Sequence, residues 1–492
     1  MAKIKKAWFC TACGNESAKW MGKCPACGEW NTMTEEIVSK GDEGVATSRN
    51  RAFLESTTPT PVPLSQISSG NENRISLGNG ELDRVLGGGL VEGSLVLIGG
   101  EPGIGKSTLS LQIPLKCNHL KTLYVSGEES ARQLKLRADR LAPAAATAAA
   151  ATAAAASPAS ALAADSASDN CLILSETLLE NILNQAKQVK PQLLIIDSIQ
   201  TIYSQNIESS AGSISQVREC AASLLRFAKE SNTPVILIGH ITKEGSIAGP
   251  KILEHIVDVV LQFEGDTRHS YRILRSIKNR FGSTAELAVY EMTSEGLKEI
   301  LNPSEMFIPM HDSNLSGTAV AATLDGTRPF LIEIQALVST AAYGTPQRSA
   351  TGFDVRRMNM LLAVLEKRVG FKLAQKDVFL NMAGGLKVSD PACDLAVVAS
   401  ILSSNFDVTL SNDITFAGEI GLSGEIRPVS QIERRITEAA KLGFKQIFVS
   451  SFSKIPSGLK QNQLELKKVQ PGYNNIQIIE IANIQELVKA IF

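Results

Sequence analysis

The chain has 492 residues, 44% of them hydrophobic and 20% charged, and its 49 Lys and Arg against 50 Asp and Glu leave a formal net charge of −1. That is globular material for two to four domains, and the balanced charge excludes a uniformly basic nucleic-acid binder while leaving room for basic loops along a groove or channel. No stretch approaches about eighteen uninterrupted apolar residues, and the charges of MAKIKKAWFC precede no apolar h-region, so no membrane contact and no secretory signal are expected and the expected compartment is the cytoplasm.

The first predicted element is a metal module. Cys10-x2-Cys13 and Cys24-x2-Cys27 are two knuckles separated by ten residues, each followed by a glycine, Gly14 and Gly28, that frees the backbone to turn around an ion. In a reducing compartment this spacing favours tetrahedral Zn²⁺ on four thiolates over disulfides. A closed four-sulfur shell leaves no place for water, so the site is expected to be structural. The module, residues 1 to about 35, is too small to build a core without its metal. Residues 36–65 turn polar (STTPTPVP) and read as a flexible linker. The other cysteines, Cys117, Cys171, Cys220 and Cys393, sit among apolar neighbours and read as small buried hydrophobes.

Residues 66–302 alternate strand and helix patterns. Strands are predicted at Ser94–Ile98, Thr122–Val125, Leu193–Ile196, Val235–Ile238, Val257–Phe263 and Tyr271–Ser276, and a helix over Val217–Lys229. This alternation argues an α/β domain with a mainly parallel sheet and ligands at the carboxyl ends of its strands. The first of those ends carries the strongest signal of the chain, the run LVLIGGEPGIGKST, which satisfies G-x-x-x-x-G-K-[S/T] from Gly100 to Ser107. Gly100, Gly103 and Gly105 let the loop Gly100-Glu101-Pro102-Gly103-Ile104-Gly105 aim its N–H groups at phosphate oxygens, and the helix opening at Lys106, Ser107 and Thr108 adds its positive dipole end. Lys106 is expected to reach the β- and γ-phosphates of ATP and the Ser107 hydroxyl to ligate Mg²⁺.

Further along, four apolar residues of LLIID deliver Asp197 to a strand end, where it is expected to bind Mg²⁺ through water. The next residue is Ser198 and not Glu, so the base that polarises the attacking water must come from elsewhere. Thr122–Glu129 (TLYVSGEE) ends another strand in two carboxylates, Glu128 and Glu129. Two polar loops follow later strands: Tyr203–Ser215, rich in Ser, Asn, Gln and Gly, and Lys243–Lys251 (KEGSIAGPK), with a lysine at each end. Residues 142–168 are mostly alanine, bracketed by Pro143 and Pro158, and read as an exposed insertion or partly helical spacer without assigned function.

From about Pro303 the pattern resets to a separate α+β domain, 303–492. Its predicted strands are Thr318–Leu324, Phe330–Val338, Val378–Met382 and Thr415–Glu419, and its predicted helices are Asp354–Val369, Cys393–Ser403 and Gln431–Leu442. Arg348, Arg356, Arg357, Lys367 and Arg368 gather around the first of these helices, as a nucleic-acid contact would require.

GEPGIGKST, LYVSGEES, LLIIDSIQT, LIGHITKEG and above all Lys278-Asn279-Arg280-Phe281-Gly282 together resemble the bacterial RadA (Sms) family of RecA-related repair and recombination ATPases. The four-cysteine module with its CPACGEWN continuation and the C-terminal region fit the same family, so the resemblance spans nearly the whole chain apart from the alanine-rich interruption after RADRL. It implies a RecA-like ATPase core and a ring, most simply a homo-hexamer, acting on single-stranded and branched DNA with the RecA recombinase as partner. It further implies that Glu128 is the catalytic base, with Glu129 as the fallback. Lys278 and Arg280 would reach a neighbour's γ-phosphate as an arginine finger does. The two polar loops would line DNA, with Lys243 and Lys251 tracking phosphates, and His240 and Thr242 would sense the γ-phosphate.

The C-terminal region also resembles the proteolytic domain of Lon, a Ser–Lys protease. Its matching stretches, Ser389-Asp390-Pro391-Ala392-Cys393-Asp394 and Pro428-Val429-Ser430-Gln431-Ile432-Glu433, put Ala392 at the nucleophile and Glu433 at the lysine. Alanine has no hydroxyl to attack a carbonyl and a carboxylate cannot replace an amine, so no peptidase is expected and the fold is kept for assembly and DNA contact. The leading reading is a ring-shaped, DNA-dependent ATPase acting as a helicase or branch-migration motor. A Lon-type ATP-dependent protease and a non-motor ATP switch of the same superfamily are the alternatives.

Overall fold

The computed structural model describes residues 5–10, 15–26, 28–38, 63, 73–141, 170–240, 250–265, 271–308, 315–341, 345–455 and 476–492. Cys13, Cys27, Thr242, Lys243, the side chain of Lys251, the alanine-rich segment and all but one residue of the expected linker beyond Val38 lie outside that set. The chain divides into two compact units, Met1–Ile300 and Leu301–Phe492.

The first unit opens with a three-stranded antiparallel sheet of β1 (Lys5–Cys10), β2 (Glu16–Ser17) and β3 (Met33–Val38), in the order β2-β1-β3. Cys10, Cys24 and Met33 are buried together with Trp8 packed against them.

The elements that follow are β4 (Arg74–Ile75), α1 (Gly80–Val85), β5 (Leu90–Val91), β6 (Leu95–Gly100), α2 (Lys106–Lys116), β7 (Thr122–Ser126), α3 (Ala131–Leu141) and β8 (Cys171–Ser175). Then come α4 (Leu179–Val189), β9 (Leu193–Asp197), α5 (Ile214–Ser231), β10 (Val235–His240), α6 (Pro250–Ile256), β11 (Val259–Glu264), β12 (Tyr271–Asn279), β13 (Leu287–Thr293) and β14 (Gly296–Glu299). Nine strands form one sheet in the order β14-β13-β12-β11-β6-β10-β9-β7-β8. The six from β11 to β8 are parallel, and β12, β13 and β14 extend the sheet antiparallel at one side.

The central strands are near-continuous apolar runs because both faces are covered. Their alternate residues divide cleanly between two cores. Val96, Ile98, Leu193, Ile195, Ile236 and Ile238 pack with residues of α1, α2 and α3. Leu95, Leu97, Leu194, Ile196, Val235 and Leu237 pack with α4, α5 and Leu253 of α6. After β6 the chain crosses to β7, past the positions of β10 and β9, so the loop leaving β6 sits at the topological switch point where such sheets bind ligands.

Two of the boundaries that differ from the sequence reading bear on the sites below. The strand predicted from Val257 starts at Val259, because Val257 closes the turn after α6 and Asp258 is bonded to Leu95 through its N–H (2.9 Å). The strand predicted to stop at Ser276 runs to Asn279 and so carries Lys278 within it.

In the second unit, α7 (Ser304–Phe307), β15 (Thr318–Asp325), β16 (Arg328–Thr340), β17 (Arg348–Thr351), α8 (Val355–Val364), β18 (Lys376–Met382) and α9 (Asp394–Phe406) come first. They are followed by β19 (Ile414–Ala417), β20 (Glu419–Ile420), β21 (Ile426–Arg427), α10 (Ile432–Lys441), β22 (Gln446–Ser450), β23 (Gln477–Ile481) and α11 (Ile484–Ile491). The main sheet has the order β17-β18-β16-β15-β19-β22-β23, and β20 and β21 pair separately, so the strand predicted over Thr415–Glu419 is two strands. Asp354 caps α8 by accepting the Arg357 N–H at 2.8 Å, and a π-turn over Leu365–Val369 carries the helix to Gly370.

Two expectations for this unit are corrected. Glu433 is exposed, and the residue of α10 that faces the Ala392 segment is Arg435, 1% exposed. Its guanidinium donates to Asp390 Oδ2 (2.6 Å) and the carbonyls of Ala322 (2.8 Å) and Ser430 (3.0 Å). Two residues along a helix are about 200° of rotation, so Glu433 and Arg435 cannot share a face. Arg357 is not available to DNA as expected: it ion-pairs with Asp394, which is fully buried, and with Glu419 at 3.4 Å. Arg356 is exposed, and Arg348 is half-buried and donates to Asn359 (3.1 Å). Cys393 is fully buried beside Asp390, and burial pushes its thiol well above the usual range, so it offers no thiolate. Among the described residues no helix is long and apolar enough to cross a membrane.

Candidate nucleotide-hydrolysis site

The loop between β6 and α2 is shaped by glycines that no other residue replaces easily. Gly105 precedes α2 at φ +118°, and the first-turn N–H groups of α2, those of Lys106, Ser107 and Thr108 among them, lack intrahelical acceptors. Lys106 is buried, and its amine folds over the loop to donate to the carbonyls of Gly100 (2.8 Å) and Glu101 (2.9 Å). Burial lowers its pKa to about 8 against the opposing pull of the Asp197 and Glu128 carboxylates.

Asp197 ends β9, and β7 lies beside it in register, with Ser126 opposite Asp197. A residue the sequence reading passed over fixes this carboxylate. The Tyr124 hydroxyl donates to Asp197 Oδ2 at 2.7 Å and pairs with Ser110 Oγ at 3.2 Å. Burial, then the Asp197 charge, hold that hydroxyl far above its ordinary pKa, so it stays a donor. A tyrosine at the centre of the buried run TLYVS was the available signal.

Beyond Ser126 the backbone turns at Gly127, where a Cβ would lie 2.0 Å from Thr201 Oγ1, so only glycine lets the turn press against the segment after Asp197. That turn separates the two acids. Glu128 Oε1 accepts from Ser198 Oγ at 2.6 Å and pairs with His240 Nε2 at 3.2 Å, while 43% of its side chain stays exposed. Burial alone would raise its pKa, but the bonds from Ser198 and His240 and the charges of His240 and Lys106 outweigh it and hold the carboxyl below its usual range. Glu129 instead ion-pairs with Arg137 of α3. The structure therefore brings Lys106, Asp197, Glu128 and His240 together and turns Glu129 aside.

Lys278 and Arg280 lie at the other end of the sheet. Asn279 sits opposite Val259 and, through β11, beside Val96 near the start of β6. Gly100 is the last residue of that strand. Five residues of strand separate Leu95 from Gly100, roughly 17 Å, beyond the reach of either cation to its own loop. The Lys278 amine caps α6 on the carbonyls of Glu254 (2.5 Å) and Val257 (2.8 Å), and burial followed by repulsion from Arg280 lowers its pKa.

Relatives place this arrangement. Over 493 residues the chain is 46% identical to the DNA repair protein RadA of Bacillus subtilis (strain 168), covering 99% of each. It is 49% identical over 454 residues to the DNA repair protein RadA of Listeria monocytogenes, covering 91% of this chain and 93% of that one. The chain belongs to the RadA family of DNA repair proteins. Family models agree piece by piece with a RadA: the KaiC ATPase matches residues 75–301, the rubredoxin metal-binding domain residues 8–35, and the ChlI subunit of Mg-chelatase residues 338–452. Among solved structures, a KaiC-like protein of Pyrococcus horikoshii is 21% identical with a TM-score of 0.36, covering 46% of this chain and 99% of its own. The RadB recombinase is 21% identical with a TM-score of 0.34, covering 46% of this chain and 99% of its own. The family models give the chain a KaiC-type ATPase core, an N-terminal metal-binding ribbon and a ChlI-like segment within the C-terminal α+β unit.

The first cysteine of each ribbon knuckle makes a similar backbone bond. Cys10 N–H donates to Asn15 O (3.0 Å) and Cys24 N–H to Glu29 O (2.8 Å), with both thiols buried, a geometry that suits thiolate ligation of one ion. The loop expected to line DNA after β9 is also built locally. Gln216, buried at the start of α5, accepts from Ser204 N–H and donates to the carbonyls of Ser204, Ile207 and Ser209.

Proposed function

We propose that this RadA-family chain is a DNA-dependent ATPase that works as a ring, most simply a homo-hexamer, driving strand separation or branch migration on single-stranded and branched DNA alongside a RecA recombinase in the cytoplasm. The observation that carries the reading is the separation of the two halves of one hydrolytic site. Phosphate loop, Asp197 and Glu128 stand at one end of the sheet and the KNRFG cations at the other, so an intact site requires two subunits.

In this reading the N–H groups of Gly100–Thr108 hold the triphosphate and Lys106 neutralises its β- and γ-oxygens. Ser107 and Asp197 would hold Mg²⁺, which supplies further charge neutralisation when bound. Glu128, ionised because its pKa is held low, takes a proton from the attacking water as the new O–Pγ bond forms and the bond to ADP breaks. Ser198 and His240 fix its direction, and His240, at the last position of β10, joins the site to the chain that follows. Lys278 and Arg280 of a neighbour stabilise the departing charge. Cys10, Cys13, Cys24 and Cys27 hold structural Zn²⁺ in a module that folds with its metal and apart from the motor. Lys243, Lys251, Arg348 and Arg356 are left as DNA contacts.

A protease reading is disfavoured by Ala392 and by Arg435, whose guanidinium is consumed by Asp390 and cannot serve as a base. The deciding experiment is ATP hydrolysis with and without single-stranded DNA, coupled to strand displacement on a forked duplex. DNA-stimulated hydrolysis with displacement is expected. Hydrolysis indifferent to DNA and without displacement would leave a non-motor switch in its place.

A further inference from the structure

One buried carboxylate in the first unit has no part in the chemistry above. Asp258 lies two residues beyond α6, and its side chain is 3% exposed. Both its oxygens are engaged: Oδ1 with Arg280 Nη1 at 3.2 Å, Oδ2 with Lys229 Nζ and the Leu95 N–H, each at 3.1 Å. Its backbone is tied on both sides as well, N–H to Leu95 O (2.9 Å) and carbonyl to Arg280 N–H (3.2 Å). Asp258 is thus bolted to the first residue of β6 and to the finger residue at once.

Its two cationic partners behave differently from a closed internal pair. Arg280 keeps 55% and Lys229 51% of its side-chain surface exposed while the acid beneath them is dry. Lys229 also lies over the Phe281 ring, 5.9 Å from its centroid. Lys278 stands beside them on the carbonyl end of α6, and the charges that act on it are Arg280, Asp258 and Glu254. Three cations therefore gather near Asp258, two of them paired with it and about half exposed, the third held by backbone carbonyls. A buried carboxylate is costly unless it is paired. Here the pairing also fixes two long side chains that would otherwise sample many rotamers.

We propose that Asp258 is a positioning residue for the inter-subunit cations, holding Arg280 and a third cation, Lys229, toward the triphosphate bound by the next subunit. This rests on the reading that the KNRFG cations act in trans. Aim matters because a finger is worth about 10³–10⁵ in rate and a misplacement of about 1 Å can cost on the order of a hundredfold.

The test uses full-length Asp258→Asn, whose amide oxygen can still accept from Leu95, with Lys229→Met as a second variant that keeps the stem over Phe281. Asp258→Asn is expected to lower kcat by about ten- to a hundredfold, with affinity for a fluorescent ATP analogue within about twofold of wild type, and Lys229→Met to lower kcat by less. Mixing either variant with Lys106→Ala protein should restore hydrolysis, because the variant contributes a sound phosphate loop and Lys106→Ala a sound finger. Wild-type kcat in Asp258→Asn overturns the proposal. Loss without rescue does so too, since it places the role within the subunit through β6. Arg280→Ala run in parallel separates the two levels: full hydrolysis in that variant removes the trans reading itself, whatever Asp258 does.

Discussion

Each of the two units carries a cluster of charged side chains, Lys106 with Glu128 in the first and Arg435 with Asp390 in the second, and the state of their charges differs. In the first, the charged groups are under-satisfied by protein. Lys106 makes do with two carbonyls, and Glu128 is nearly half exposed. In the second, Arg435 and Asp390 are 1% and 10% exposed and spend their bonding on each other, on backbone and on Thr323. A site kept for chemistry leaves bonding capacity for a substrate, whereas a charge cluster kept for architecture closes on itself.

That contrast can be broken at several points. Lys106→Ala should reduce ATP hydrolysis by about a hundred- to a thousandfold or more with no loss of thermal stability, because it removes a buried charge that the protein compensates poorly. A fall in melting temperature alongside the lost activity would place Lys106 among the architectural charges. Arg435→Met should do the reverse, costing the second unit about 3–5 kcal/mol by stranding Asp390, read as a lowered urea midpoint. A midpoint within error of wild type would show that the pair is dispensable.

The under-satisfied state of Lys106 also predicts a pH effect. Its amine titrates at about 8 in the empty loop, and bound phosphate favours the charged form, so the bound pKa lies higher. ATP affinity should therefore be full below pH 8, weaken by up to about tenfold per pH unit above it, and bring proton uptake on binding in that range. Calorimetry in buffers of different ionisation heat reads this directly, and affinity constant from about pH 7 to 9.5 would contradict it. The smallest effect belongs to Glu129. Its pairing with Arg137 is partly exposed, at 27% and 26% of the two side chains, so Glu129→Gln should change kcat by less than about twofold, and a larger loss would exchange the roles of the two acids.

Much of the first site was legible because its chemistry is local. A phosphate loop is one contiguous segment, and Asp197 and Glu128 each end an apolar strand. What could not be read were choices settled by distant partners. Arg137, on the helix after β7, decides between Glu128 and Glu129, and Tyr124 and Ser198 act across neighbouring strands. In the second unit the register between Glu433 and Arg435 depends on which helix face is buried, and Arg357 looked like a surface cation until Asp394, 37 residues away, accounted for it. The antiparallel run of β12 to β14 was hidden for a similar reason. The first of its strands is more polar than its parallel neighbours, YRILRSIKN against LLIID, yet only pairing reveals that KNRFG ends up at the opposite rim from the phosphate loop.

That placement carries the central proposal, in which every hydrolytic site would be shared by two subunits. The most direct measurement mixes Lys278→Ala/Arg280→Ala protein, in which the phosphate loop is intact, with Lys106→Ala protein, in which the finger is intact, in rings shown to contain both. If sites are shared and act independently, equal mixing should recover about a quarter of wild-type hydrolysis, from two proteins that are each inactive. Recovery of nothing at any mixing ratio would contradict the shared site.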